Sequence, residues 1–555
     1  MRLATAIASG ALAGLAAAAE EGVPWFVDVA AASGLGFVHD PAVEGEYFVP
    51  ESIGAGGALF DYDGDGDLDG DMVNGARRRA LAAAAPLVNR LFRRDEDGRY
   101  HDVTAASGLG DLGYGMGVAV GDVDGDGDPD VFVTNFGPDA LYRNNGDGTF
   151  TAVTREAGID NPAWGASAAF FDADLDGDLD LYVANYLAYD PAAVCTDAAG
   201  RPDYCGPAGF AGVPDRLYRN DGRGRFTDVS AAAGIARAAG KGLGVVNADF
   251  DGDGLPDVYV ANDGEPNLLW INRGDGTFED RALTLGAALN ALGQAEAGMG
   301  VALGDADGDG ALDLFVSHLR GESNTLYASA GALGFVDATA AAGLAGPSLP
   351  YTGFGTAFFD PDLDSDLDLA VVNGRVTRGP LLTSRRPPAH WDPYAEPALL
   401  LENDGRGRFR DAGARAGAAF TAPANGRGLA VGDADGDGDP DLLVTVGGGA
   451  ARLLRNDLPA RGHRLAVTVL DAASGRDAVG AVVAVTAAGR RRVGAVTPGG
   501  SFLSSGDPRC LFGLGGATVV DELRVRWPGG EERVWRTLPA DREVVVAGPA
   551  ARPPS

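Results

Sequence analysis

Residues 61–69 read DYDGDGDLD. Aspartates stand at alternate positions, and the residues between them are mostly small. Five like charges on nine residues repel one another unless something binds them. The same spacing, D-x-D-x-D-x-x-x-D, occurs seven times. The first copy holds Asp61, Asp63, Asp65, Asp67 and Asp69; the second holds Asp122, Asp124, Asp126, Asp128 and Asp130. The third holds Asp172, Asp174, Asp176, Asp178 and Asp180, and the fourth Asp249, Asp251, Asp253, Leu255 and Asp257. The fifth holds Asp305, Asp307, Asp309, Ala311 and Asp313, and the sixth Asp360, Asp362, Asp364, Asp366 and Asp368. The seventh holds Asp433, Asp435, Asp437, Asp439 and Asp441.

This spacing suits a calcium loop. Ca²⁺ takes roughly 6–8 hard oxygen ligands from carboxylates, carbonyls and water. Carboxylates at positions 1, 3, 5 and 9 supply most of them. Position 7 is Asp, Leu or Ala, so it is expected to offer its backbone carbonyl. Position 6 is Gly in six copies and Ser365 in the sixth loop; Gly tolerates the positive φ of a sharp turn. An EF-hand is excluded, because it needs Glu at position 12. Position 12 here is Met72, Val133, Val183, Val260, Val316, Val371 or Val444. Apolar residues at positions 8, 10 and 12, as in LDLYV (179–183), predict a strand after each loop. Up to seven Ca²⁺ are expected. The loops hold 33 Asp, and seven Ca²⁺ would bring the net charge from −35 to −21.

Two further signatures travel with the loop. One is an apolar strand running into a turn, as in LYRNNGDG (141–148) and LYRNDGRG (217–224). The other is an aromatic residue opening the next strand, as in FTAV (150–153) and FTDV (226–229). Each occurs seven times, but the first aromatic strand, at Phe26, has no turn strand before it, and the last turn strand, ending at Asp457, has no aromatic strand after it. A closed ring resolves that offset, because the N-terminal strand can complete the last unit. The expectation is an all-β chain: a seven-bladed β-propeller over 25–457 with one calcium loop per blade, and a small C-terminal β domain over 461–546. An open solenoid leaves the offset unexplained.

The C-terminal segment carries 12 Arg and 9 acidic residues, against −35 for the whole chain, so docking onto the acidic ring is expected. Residues 1–19 have the features of a secretory signal peptide, and 547–555 read as a tail. No later stretch has the length of apolar residues that a transmembrane anchor needs. The acidity argues against nucleic acid as a partner. Cys195 and Cys205, ten apart in one insertion, are expected to form a disulfide in a secreted or periplasmic chain. Cys510 is expected to be a core thiol. A second insertion, 375–397, is rich in Pro and Arg.

GMGVAVGDVDGDGDPDVFVTN (115–135) resembles the FG-GAP or VCBS repeat of integrin α-subunit propellers. GRDAVGAVVAVTAAGRRRVGAV (475–496) and VDELRVRWPGG (520–530) resemble the ASPIC/UnbV domain. The combination is similar to bacterial relatives of cartilage acidic protein, which also share DYCGP (203–207). The resemblance implies an extracytoplasmic, calcium-binding propeller with roles in adhesion or interaction. The partner class is protein or glycan. No H-E-x-x-H or G-x-S-x-G motif is present, and His39, His101, His318, His390 and His463 lack ligand spacing. The alternative is a carbohydrate-active enzyme with its site in the ring axis or the insertions, and a purely structural scaffold is a third reading.

Overall fold

The computed structural model describes residues 24–78, 86–385, 388–459, 461–472 and 474–548. Residues 1–19, expected to be a signal peptide, and the tail beyond 548 lie outside them. The described chain is all-β apart from short helical turns.

Each repeat folds into a four-stranded antiparallel sheet. Sheet two is Gly115–Gly121, Asp130–Asn135, Ala140–Asn144 and Phe150–Ala152, with neighbours in chain order. The Asp loop joins its first two strands, and the NNGDG turn joins its last two. Sheets one and three to six repeat that order, opening on Gly57–Phe60, Gly165–Phe171, Gly242–Ala248, Val301–Gly304 and Gly353–Phe359. The seventh has only three consecutive strands, Gly426–Gly432, Asp441–Val446 and Arg452–Asn456. Its fourth is the N-terminal Phe26–Asp28, with Phe26 opposite Asn456 and Asp28 opposite Leu454.

The first strands of consecutive sheets are neighbours, and Gly426–Gly432 in turn neighbours Gly57–Phe60. The cores lie between sheets. Between sheets one and two, Leu91, Val118, Val131 and Phe150 pack together. Between seven and one, Leu35, Leu59, Phe92, Leu443 and Leu453 do so. Each fully buried Leu, Val or Phe contributes about 1.5–3 kcal/mol.

Two small sheets form the C-terminal domain. One orders Cys510–Gly515, His463–Leu470 and Arg542–Ala547; the other orders Arg490–Ala495, Val482–Ala487, Val519–Arg526 and Glu532–Pro539. Its last strand runs to Ala547, one residue past the expected boundary. The Cys510 thiol is buried and pushed up to about 12 by that burial.

One segment of this domain enters the repeat region. Phe502 and Leu503 are fully buried among Phe48, Met116, Leu243 and Phe354. Ser504 and Ser505 pair in parallel with Gly57 and Ala58. Val118 N–H donates to the Leu503 carbonyl (3.1 Å), and Leu503 N–H to Ser167 Oγ (3.0 Å). Val301 pairs with Ser501, Thr356 N–H donates to Ser501 Oγ (3.2 Å), and Asp507 N–H donates to the Val431 carbonyl (3.0 Å). The segment thus bonds to the first strands of six sheets. Glycines leave room for it: a Cβ on Gly56 would stand 2.0 Å from the Leu503 carbonyl oxygen. Phe502 and Leu503 fill the space among the first strands, and beside them a cavity of about 670 Å³ lies between the first strands of sheets five, six and seven and the C-terminal domain, with Arg464, Arg492, Asp507 and Arg509 in its lining.

Candidate metal centres

The seven loops share one hydrogen-bond plan, set by the backbone. The position-1 carboxylates of Asp61, Asp122, Asp172, Asp249, Asp305 and Asp360 each accept the N–H of position 6, at 2.9–3.2 Å. The position-5 carboxylate accepts the N–H of position 7 in all seven, from Asp65 with Asp67 to Asp437 with Asp439. The position-9 carboxylate is buried and ties two strands together. Asp130 Oδ2 accepts Val123 N–H (2.8 Å) and its Oδ1 accepts Asn144 N–H (2.7 Å).

Carboxylate oxygens of positions 1, 3 and 9 converge within 4.8 Å of one another in Asp61/Asp63/Asp69, Asp122/Asp124/Asp130, Asp172/Asp174/Asp180 and Asp249/Asp251/Asp257. Position 5 stands beside these four clusters, with one of its oxygens accepting the position-7 N–H, and Asp65 acts electrostatically on both Asp61 and Asp63. Two position-7 side chains turn elsewhere: Asp67 pairs with Arg94, and Asp439 with Arg461.

Burial makes these clusters costly as bare anions. Asp69, Asp130, Asp180 and Asp257 are each pushed up to about 8, by burial first and against two backbone N–H donors. Asp124 Oδ1, Asp172 Oδ1, Asp305 Oδ2 and Asp368 Oδ2 are buried oxygens that no protein donor reaches. An unmet buried acceptor costs about 1–3 kcal/mol. Hard anionic oxygens that converge, several of them without a donor, fit a hard cation such as Ca²⁺.

Loop six keeps the plan despite two departures. Ser365 adopts φ +82°, close to the +90° to +98° of its glycine counterparts, and its N–H donates to Asp360 Oδ2 (3.0 Å). Pro361 at position 2 has no N–H, so Asp368 Oδ2 loses the donor that Val123 gives Asp130. A left-handed L-residue costs roughly 1–2 kcal/mol, so Ser365→Gly is expected to stabilise the chain by about 1 kcal/mol, read as a raised Tm.

Sequence reasoning missed two groups. Position 4 is also left-handed, at φ +57° to +82°, in Gly64, Gly125, Leu175, Gly252, Gly308, Leu363 and Gly436. The Asn closing the third strand is more than a turn former. Asn144 Nδ2 donates to the Tyr62 carbonyl of the preceding loop (2.8 Å). Asn220, Asn272, Asn403 and Asn456 do the same to Val123, Ala173, Ala306 and Pro361. Arg94 of sheet one reaches the Asp435 carbonyl of loop seven (3.0 Å). The recurring N in YRN, WIN, LEN and LRN was the available signal.

The C-terminal domain sits on the loop side. Arg526 pairs with Asp249 (3.1 Å), Arg461 with Asp437 (3.0 Å), and Arg492 donates to the Ser365 carbonyl. Gly515 N–H donates to the Leu363 carbonyl (2.8 Å) and Gly529 N–H to the Gly254 carbonyl (3.3 Å). Cys195 and Cys205 are disulfide-bonded, with Cα atoms 5.1 Å apart. No helix among the described residues is long and apolar enough to cross a membrane.

An all-β chain of repeated Asp-loop meanders with a small C-terminal β domain defines a class. The family model described as FG-GAP-like repeat matches residues 73–133, 122–183, 197–260, 249–316 and 393–444, and the model described as ASPIC and UnbV matches 471–553. The chain belongs to the FG-GAP-like repeat family and carries a C-terminal ASPIC and UnbV domain. It is similar to cartilage acidic protein 1 of Homo sapiens, 32% identical over 186 residues, covering 32% of this chain and 27% of the human protein. The Mus musculus protein of the same name is 29% identical over 188 residues, covering 32% of this chain and 28% of its own length. The match thus spans little more than a quarter of the length of these relatives. Among solved structures, YCF48 bound to a D1 peptide shares 10% identity at a TM-score of 0.40, over 75% of this chain and 96% of that one.

Proposed function

We propose that the chain is an extracytoplasmic, calcium-binding β-propeller of seven blades that acts as an interaction or adhesion module for a protein or glycan partner. The observation that carries this reading is the set of converging, donor-poor carboxylates repeated in the loops. Positions 1, 3, 5 and 9 would hold the ion, with the carbonyl of position 7 and water completing the shell. Bound there, Ca²⁺ would supply charge neutralisation and tie together the first two strands of a blade. The seven sheets, their neighbouring first strands and the N-terminal strand in the seventh sheet support the closed ring. The disulfide supports an oxidising compartment.

Capture of partners from an extracellular or periplasmic fraction tests the reading. The calcium-loaded chain is expected to retain a specific protein or glycan, and the chelated chain to lose it. Equal retention with chelator would separate binding from the loops and overturn the coupling.

A further inference from the structure

Away from the Asp loops, three remote segments meet at one cluster. Tyr204, next to the Cys195–Cys205 disulfide, donates its hydroxyl proton to Glu51 Oε2 (2.9 Å) and lies 3.0 Å from His390 Nε2. Glu51 and Tyr204 are buried; His390, Trp391 and Tyr47 are half-buried. Trp391 stacks on Tyr204 at 5.8 Å and 7°, and Tyr47 meets His390 with ring centroids 5.7 Å apart. Arg378 holds the two insertions together, its N–H on Asp203 Oδ2 (2.9 Å) and its guanidinium on the Tyr47 hydroxyl (2.7 Å). Tyr47 sits at φ +53°, an outlier for a bulky side chain, and such strain gathers at functional sites.

We propose that this cluster is a saccharide site, in which the sugar ring lies against Trp391 and Tyr47 and a sugar hydroxyl hydrogen-bonds His390 Nδ1. It rests on the interaction-module reading and gives that module a glycan ligand. Rings with both an apolar face and hydroxyls suit aromatic surfaces flanked by fixed polar groups. The positioning residues are Tyr204 and Glu51. With Glu51 ionised, Tyr204 donates to it and accepts from His390 Nε2–H, so Nδ1 is left as an acceptor. With Glu51 protonated the chain can reverse, Tyr204 donating to Nε2 and Nδ1 carrying the proton. Burial pushes Glu51 up to about 7, opposed by Tyr204, the Glu44 backbone N–H and Arg78 and reinforced by the Glu44 carboxylate, with Tyr114 and Tyr189 also facing it. Burial, with Arg378, lowers His390 and keeps it neutral, while Asp203 acts the other way.

A saccharide array probed with the full calcium-loaded chain tests this. Wild type is expected to retain at least one saccharide. His390→Ala and Trp391→Ala should each weaken it by about tenfold or more, read at a temperature where each variant is still folded by its own melt. Glu51→Gln should still bind, but lose the change in affinity between about pH 6 and pH 8 that wild type shows. An array without a retained saccharide, or variants that bind as tightly as wild type, would overturn the site. Calcium-dependent capture of a protein alone, with no saccharide retained, would remove this site and leave the module standing.

Discussion

Chelation is expected to lower the melting temperature of this chain by about 10 °C or more. A cation that binds only the folded state stabilises it by about 2.7 kcal/mol per site at a hundredfold excess over Kd. Several such sites together reach about 10 kcal/mol, and unfolding entropy for a chain of this size turns that into a shift of roughly 10 °C. Acidification should then act with opposite signs on the two forms. Asp69, Asp130, Asp180 and Asp257 stand near 8 in the metal-free fold, above their unfolded values. A carboxylate raised in this way favours the folded state most at pH below its unfolded value, and the benefit is lost as pH rises towards 8. The chelated chain should therefore melt higher at pH 5 than at pH 8. The calcium-loaded chain should melt lower at pH 5, because protons compete with the cation. Thermal melts in calcium and in chelator at both pH values read all four numbers, and identical melts with and without chelator would remove the metal from the picture.

Phe502→Ala is expected to cost about 3–5 kcal/mol, the usual range for a fully buried aromatic. The ring packs on Phe354 at 4.9 Å between centroids, with no solvent exposure. Leu503→Asp should cost more, since it places an unpaired charge where the Leu503 backbone bonds to sheets two and three. Both changes should also expose the linker around 458–462 to protease, because the segment that carries Phe502 and Leu503 reaches six of the seven sheets. Denaturation and limited proteolysis measure the two effects. Wild-type stability and an uncut linker in Leu503→Asp would show that the segment only covers the sheets.

Most of the architecture was legible in the sequence, because each unit is local. The DxDxD loop, the alternating strand behind it and the Asn-Gly or Asp-Gly turn lie within about one repeat of each other, where spacing carries the signal. The N-terminal strand was legible through a counting offset, with Phe26 lacking a preceding turn strand. What stayed hidden is long-range. Ser504 pairs with Gly57 across more than 400 positions, and nothing near either residue announces it. Its trace was the second Gly of first-strand segments such as GMGVA, where a Cβ on Gly117 would stand 3.1 Å from Leu503 Cα. Leu175 and Leu363 hid the left-handed demand at position 4, because leucine gives no sign of positive φ. His390 looked isolated because its partner, Tyr204, and the Glu51 that Tyr204 bonds in turn, are 186 and 339 residues away from it along the chain.

Counting calcium on the folded chain, by native mass spectrometry alongside equilibrium dialysis, tests the metal loops most directly. Several ions per chain, up to seven, are expected, with one fewer after Asp122→Ala and Asp124→Ala are combined. A folded chain that binds no calcium at millimolar concentration would contradict the role assigned to Asp61–Asp69 and its six repeats.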